Sequence, residues 1–263
     1  MLEQITPVLL TYNEEENIGR TLGQLGWASD VVVVDSYSTD DTVAIARSRI
    51  QVRLLKRTFD THAQQWNFAV QNSAIKTEWI LALDADYLLT SEFIDELARL
   101  RPEAEINGYL AGFRYCVWGR PLRGALYPPV VVLFRNGKAH YVQDGHTQRL
   151  QIAGRIGKLQ SKILHDDRKS LSKWLQAQDR YMQLEAQHIG GAKWSDLAAA
   201  DKVRKLPLVA PFIVFIYCYV GKLLLLDGRR GLYYTIQRML AESLLALRLI
   251  ETLWCHASSK SNS

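Results

Sequence analysis

Four short, largely apolar runs constrain this 263-residue chain more than any other feature: Ile5–Leu10, Val31–Val34, Val52–Leu55 and Trp79–Leu83. Val31–Val34 and Trp79–Leu83 are uninterrupted, which is how a strand buried on both faces reads. Pro7 falls near the start of the first run, where a missing N–H is tolerable. The segments between the runs have helical spacing. Ile18, Leu22 and Leu25 form one stripe, Val43, Ala44 and Ala46 a second, and residues 62–74 a third helix. Strand and helix in strict alternation predict an α/β fold, with a mostly parallel central sheet of Rossmann-like type and helices on both faces.

Ligands of such sheets bind beyond the carboxyl ends of the strands. The polar residues fall there: Thr11 to Glu14, Asp35 to Asp41, and Asp84 to Asp86. Thr11 or Asn13 is expected to cap the helix after the first strand. Asp84 and Asp86 leave the fourth strand together, and two close carboxylates repel. A divalent cation removes that repulsion, and Mg2+ typically takes one or two carboxylates plus the phosphates of a substrate. The plainer reading of an isolated Asp-x-Asp is a solvated turn; three polar loops at one sheet edge favour a site. No Gly-x-Gly-x-x-Gly and no Gly-Lys-Ser/Thr loop is present, which argues against a dinucleotide fold and a phosphate-loop NTPase.

The combination Pro-x-x-x-Thr-Tyr-Asn-Glu-Glu, Val-Val-Asp-Ser-x-Ser-x-Asp and Leu-Asp-Ala-Asp resembles the family 2 inverting glycosyltransferases of GT-A fold. The resemblance covers roughly residues 1–165. It implies that Thr11, Tyr12 and Glu14 border the nucleotide, that Asp35 holds the base edge, that Asp84 lies near the ribose, and that Asp86 ligates Mg2+ or Mn2+. Gln65 and Asn67 resemble the Gln-x-Asn-x-Ala segment of the lipopolysaccharide-core branch, and join the donor-binding set on that ground.

Beyond Gly108 the pattern changes. Tyr109–Val117 and Pro129–Arg135 read as antiparallel strands on the acceptor side of a cleft. An inverting transfer to a hydroxyl needs a general base. Asp144 is the first candidate and His146 the second; a plain turn is the alternative for Asp144-Gly145. His165 follows the apolar pair Ile163-Leu164 and is a candidate third metal ligand, with a hydrogen-bonded His as the simpler alternative. Lys158 and Arg168 read as solvated more readily than as phosphate contacts.

Leu171, Trp174, Leu175, Tyr181, Met182, His188 and Ile189 recur at the spacing of an amphipathic helix. Residues 206–221 carry no charge; Lys222 interrupts before Leu223–Leu226. That length is at the threshold of a membrane span. Basic residues flank both ends, and such flanks prefer the cytoplasm. Pro207 and Pro211 suit a bent or re-entrant segment. Residues 232–254, with Arg238, Glu242, Arg248 and Glu251, are too polar to cross lipid. An in-plane or hairpin anchor is expected, with a single span, a core helix or a dimer interface as alternatives. The boundaries read as a catalytic domain at 1–165, a helical connection at 166–205, membrane-associating helices at 206–256 and a disordered tail at 257–263.

The formal charge of +5 suits anionic ligands or an anionic membrane. No basic stripe with interleaved aromatics points to nucleic acid. Three cysteines without a Cys-x-x-Cys pair give neither a zinc site nor a disulfide framework. No basic segment followed by an apolar run opens the sequence, so no secretory signal is expected. The combined expectation is a metal-dependent transferase at the cytoplasmic face of a membrane. It would move a sugar from a nucleotide-sugar, UDP-linked by resemblance, to a lipid-linked or lipopolysaccharide-type glycan. A polyprenyl-phosphate transferase, which needs no base, and a non-catalytic nucleotide-sugar binder are the rivals.

Overall fold

The computed structural model describes residues 1–144 and 147–260. Its first unit comprises Met1–Pro121 and Tyr127–Lys169; its second comprises Leu122–Leu126 and the chain from Ser170 onward.

In the first unit the elements run β1 (Ile5–Thr11), α1 (Ile18–Gly23), β2 (Val31–Asp35), α2 (Thr42–Arg47), β3 (Val52–Lys56), α3 (His62–Asn72), β4 (Trp79–Asp84), β5 (Tyr87–Leu88) and α4 (Ser91–Arg99). Then follow β6 (Ile106–Val117), β7 (Arg120–Pro121), β8 (Val130–Arg135), β9 (Ala139–Asp144), β10 (Thr147–Ile152) and β11 (Arg155–His165). The four apolar runs are β1 to β4, side by side and parallel in the order β3-β2-β1-β4. Val31–Val34 and Trp79–Leu83 are fully buried. On one face pack Leu9, Ile18, Leu22, Val33, Leu81 and Phe93; on the other pack Val8, Val32, Trp66, Ile80 and Tyr141. Two-sided burial is why these strands carry no alternation.

The sheet does not stay mostly parallel. It continues from β4 through β8, β6, β11 and β5, and only β6 and β11 in that half run parallel. The whole is a mixed sheet. β6 and β8 pair antiparallel, as their sequences indicate. β9 and β10 form a separate two-stranded ribbon, which packs on α3 through the stacked rings of Trp66 and Tyr141, 5.3 Å apart.

Two local expectations need correction. Neither Thr11 nor Asn13 caps α1. The helix starts later, after Asn17, and Thr11 is the last residue of β1. Asn13 adopts a left-handed φ of 53° and takes the N–H of Thr39 on its side chain at 2.8 Å. In α2 the inward residues are Thr42 and Ala46, whereas Ala44 faces solvent.

The second unit is helical: α5 (Leu171–Gly191), α6 (Ala199–Arg204), α7 (Ala210–Ile216) and α8 (Gly228–Lys260). α5 packs on α8 through Met182, Ala186, Ile189, Leu245 and Leu249. Arg204 joins them by pairing with Glu185 at 3.0 Å and Glu242 at 2.9 Å. Helix α8 continues past Ala257, where the sequence places the start of a disordered tail. Among the described residues no single helix is long and apolar enough to cross a membrane; Ala210–Gly221 and Leu224–Thr252 reach that character only as a pair, bent by 70°.

Candidate active site

The strand register fixes where the polar residues meet. Thr11 at the end of β1 lies opposite Asp35 at the end of β2, and Leu10 lies opposite Asp84 at the end of β4. Three of the sequence-derived positions therefore share one sheet edge. Asp86 follows two residues on, and β5 then turns back antiparallel against the end of β11, with His165 opposite Tyr87. The Asp166 N–H donates to the Asp86 carbonyl at 3.0 Å. This short ladder brings His165 to Asp86: Nε2 lies 3.0 Å from Oδ2.

Asp86 is buried, His165 is half-buried, and the pair is incompletely satisfied. Asp86 Oδ1 and His165 Nδ1 have no hydrogen-bond partner among the described residues, which is costly for buried polar atoms. Burial, and after it the charge of Asp86, pushes Asp84 up to about 6. Burial also works against ionising Asp86, but His165 overrides it and holds that carboxyl below its usual range. Burial likewise opposes charge on His165, and Asp86 outweighs it, so the imidazole titrates above its ordinary value. A wall of rings encloses His165, with Tyr127, Tyr115 and Tyr87 centred 4.7, 4.9 and 5.4 Å away. The Tyr87 hydroxyl bonds to the Tyr127 hydroxyl.

These residues fit a divalent cation. The orphaned Asp86 oxygen and the imidazole are oxygen and nitrogen donors of the kind such ions take, and Asp84 stands two residues before Asp86.

The remaining sequence candidates are distributed as follows. The loops after β1 and β2 are laced together. The Asn13 N–H donates to Ser38 Oγ at 2.9 Å and the Glu14 N–H to Thr42 Oγ1 at 2.7 Å. Thr11 is buried and its hydroxyl has no partner among the described residues, while Tyr12 is exposed. Asp35 is buried and accepts from the Ser38 N–H at 2.9 Å and the Ser38 hydroxyl at 2.5 Å. Gln65 is buried, donates to Ser36 Oγ at 3.0 Å and accepts from Arg57 at 2.6 Å, which ties α3 to the strand ends. Asn67 turns elsewhere: its amide pairs with the backbone of Tyr141 at 2.8 and 2.9 Å and holds β9 in place. Asp144 is the last residue of β9, opposite Thr147 of β10. His146 lies outside the described residues.

Glu14 points inward. It accepts from the Asn17 amide at 2.9 Å and from the Lys169 ammonium. Burial pushes Glu14 up to about 7 against the pull of Lys169. Lys169, which the sequence does not single out, is half-buried; burial works against its charge, and Glu14, Asp167 and Asp86 together keep it charged. It ends a strap, Asp166–Lys169, fastened to α1. Asn17 donates to Asp167 at 3.0 Å and accepts the Arg168 N–H at 3.0 Å, and Arg20 pairs with Asp166 at 2.7 Å. The edge thus gathers the carboxyl groups of Asp84, Asp86 and Glu14, the imidazole of His165 and the ammonium of Lys169, which is paired with Glu14.

Comparison with known proteins bears on this arrangement. The family model described as Glycosyl transferase family 2 matches residues 7–158. An uncharacterized glycosyltransferase of Rickettsia felis is 34% identical over 111 residues, which cover 42% of this chain and 38% of that protein. The lipopolysaccharide core biosynthesis glycosyltransferase LpsC of Rhizobium meliloti is 30% identical over 125 residues, covering 42% and 45%. The chain thus spans about two-fifths of the length of these curated relatives. Among solved structures, S. aureus TarS 1–349 in complex with UDP superposes with a TM-score of 0.48 at 17% identity, covering 96% of this chain and 91% of that one.

Proposed function

Because the chain belongs to glycosyl transferase family 2, we propose that it transfers a sugar from a nucleotide-activated donor, UDP-linked, to a hydroxyl of a lipid-linked or lipopolysaccharide-type glycan, with inversion at the anomeric carbon. One observation carries the reading: Asp86 and His165 meet just beyond the carboxyl end of β4, which Asp84 closes, and Asp86 Oδ1 is buried without a partner among the described residues.

In this reading Asp86 and His165 hold Mg2+ or Mn2+, with Asp84 beside them. The cation supplies positive charge to the diphosphate when bound. Lys169 adds a fixed ammonium at the same edge. Thr11, Tyr12 and Asp35 border the nucleoside. Asp144 or His146 takes the proton from the acceptor hydroxyl. The oxygen then attacks the anomeric carbon from the side opposite the leaving group, and the bond to the diphosphate oxygen breaks. The name of the LpsC relative supports a lipopolysaccharide-type acceptor. The basic flanks of the apolar segment support work at the cytoplasmic face of a membrane.

The test is a panel of UDP-, GDP- and ADP-sugars offered with Mn2+ and detergent-dispersed membrane lipid, with the product linkage read by NMR. A β-linked product from an α-linked UDP-sugar supports the reading. Retention of configuration, or preference for another nucleotide, contradicts it. Asp144→Asn and His146→Ala, assayed beside wild type, locate the base, whose removal is expected to cost about 10²–10⁴ in rate. Full activity in both variants favours an acceptor that is already an anion, such as a polyprenyl phosphate.

A further inference from the structure

The second unit wears part of its apolar surface inside out. Along the stretch that begins with α7, Val209, Phe212, Ile213, Ile216 and Val220 recur at one helical stripe, and each is between 41% and 61% exposed. The opposite side, turned toward the interior, is made of small or compact residues: Ala210, Pro211 and Cys218 are buried. An ordinary surface helix buries its large apolar side chains and exposes its polar ones. This one does the reverse. Leu208 (76%) and Leu226 (55%) extend the exposed surface beyond the helix at either end.

The stretch is held firmly in place. After Gly221 the chain breaks, with Leu223 in a left-handed conformation at φ 58°, and the next helix departs at 70°. Leu224 is buried beneath the break. Its carbonyl sits so close to α8 that a Cβ at Gly231 would lie 1.9 Å from it. Only glycine permits that approach.

The exposed charges along this stretch have one sign, and Asp227 at its end is turned in against Arg123. No acidic residue occurs between Asp201 and Asp227. Lys222 lies over the Tyr217 ring at 5.3 Å, an apolar stem with its charge at the edge. Arg229, exposed, and Arg230 follow the break. A second copy docked across a two-fold axis would set these cations against their own kind. An anionic bilayer surface complements them.

From these observations we infer that residues 206–226 form an in-plane membrane-docking surface, its apolar stripe set among the acyl chains of one leaflet and Lys222, Arg229 and Arg230 at anionic headgroups. The stretch Ala210–Gly221 would be about 18 Å long as a helix at 1.5 Å per residue, against about 30 Å of hydrocarbon, so it enters one leaflet without crossing. The polar face of α8 stays in water. This is the geometry of a monotopic anchor. The inference stands apart from the transfer chemistry, because docking is read without any donor.

The experiment is flotation of the full chain with vesicles of phosphatidylglycerol and phosphatidylethanolamine, and with phosphatidylcholine alone. Wild type is compared with Phe212→Glu/Ile216→Glu and with Arg229→Glu/Arg230→Glu. Phe212, Ile216 and Arg229 are exposed and Arg230 is half-buried, and melting by circular dichroism checks the fold. Loss of two buried apolar anchors is expected to weaken partitioning about a hundredfold on both kinds of vesicle. Charge reversal is expected to remove the preference for phosphatidylglycerol and its salt sensitivity. Leu208→Ser/Leu226→Ser, outside the helical stripe, repeats the apolar test should the first pair fail to fold. Wild type that stays in the aqueous fraction overturns the inference. So do Glu variants that float like wild type, and a dimer in solution that the Glu variants dissociate while neither form touches vesicles.

Discussion

His165 and Asp86 are 79 residues apart in sequence, yet the imidazole Nε2 lies 3.0 Å from the carboxylate Oδ2. The contact exists because the two-residue strand β5 doubles back onto the end of β11. The other atoms of the pair, Asp86 Oδ1 and His165 Nδ1, are buried without partners among the described residues. Removal of the imidazole should therefore act on the cation more than on the fold. His165→Ala is expected to weaken Mn2+ binding about 10–100-fold, measured by calorimetric titration. An unchanged Mn2+ affinity would reduce His165 to a hydrogen-bonding partner of Asp86.

Proton and cation should compete at Asp84. In the metal-free chain burial and Asp86 push this carboxyl up to about 6, whereas an unfolded Asp titrates near ~4. Between those values the folded chain binds a proton that the unfolded chain does not. The raised group therefore contributes stability in acid that is lost as pH rises through about 6. Cation binding has the opposite sense, because it needs the ionised form. The thermal shift produced by saturating Mn2+ is expected to be larger at pH 7.5 than at pH 5.5. Equal shifts at the two pH values would separate Asp84 from the cation.

Lys169 reaches Glu14 across 155 residues of sequence. Its charge also acts on Asp84 and Asp86. Lys169→Met is expected to raise the donor KM about tenfold, equivalent to ~1.4 kcal/mol, and to flatten its salt dependence. Lys169→Arg should retain most donor affinity, because the charge is kept. A Met variant that melts earlier but keeps its donor KM and salt dependence would make Lys169 solely the structural partner of Glu14.

Asn67 separates two roles. Its resemblance-based place is in the donor site, but its amide pairs with the Tyr141 backbone. Asn67→Ala would leave the N–H and C=O of Tyr141 without those partners. The expected cost is about 1–3 kcal/mol of stability by urea denaturation, with the donor KM unchanged. A raised donor KM at unchanged stability would restore Asn67 to the donor site.

The parallel half of the sheet is legible in the sequence because two-sided burial writes itself as apolar runs: Val31–Val34 and Trp79–Leu83 permit no other ready reading. Asp84 and Asp86 are legible as the carboxylates that end such a run. In the other half β6 and β8 are legible, but β11 and β5 are not. In β11 the fully buried apolar residues are Leu159 and Ile163, four apart, and a register irregularity between Lys158 and Lys162 breaks the strand period. Without that period the strand does not announce itself, and the route of His165 to Asp86 stays hidden. β5, at two residues, is too short to carry a pattern. Lys169 resembles any solvated lysine, since its meaning depends on Glu14 and Asn17, which only the fold brings near. The apolar character of residues 206–221, interrupted at Lys222, and Pro207 and Pro211 mark a bent segment in the sequence, but the left-handed Leu223 where the chain turns leaves no mark in composition.

The central claim is that Asp86, with His165 and Asp84, forms a metal-dependent sugar-transfer site. Nucleotide release from a UDP-sugar, followed for wild type and Asp86→Asn with Mn2+ and again after chelation, tests it most directly. The account predicts release by wild type that stops on chelation and falls at least ~10²-fold in Asp86→Asn. Release that is indifferent both to Asp86 and to the cation would contradict it.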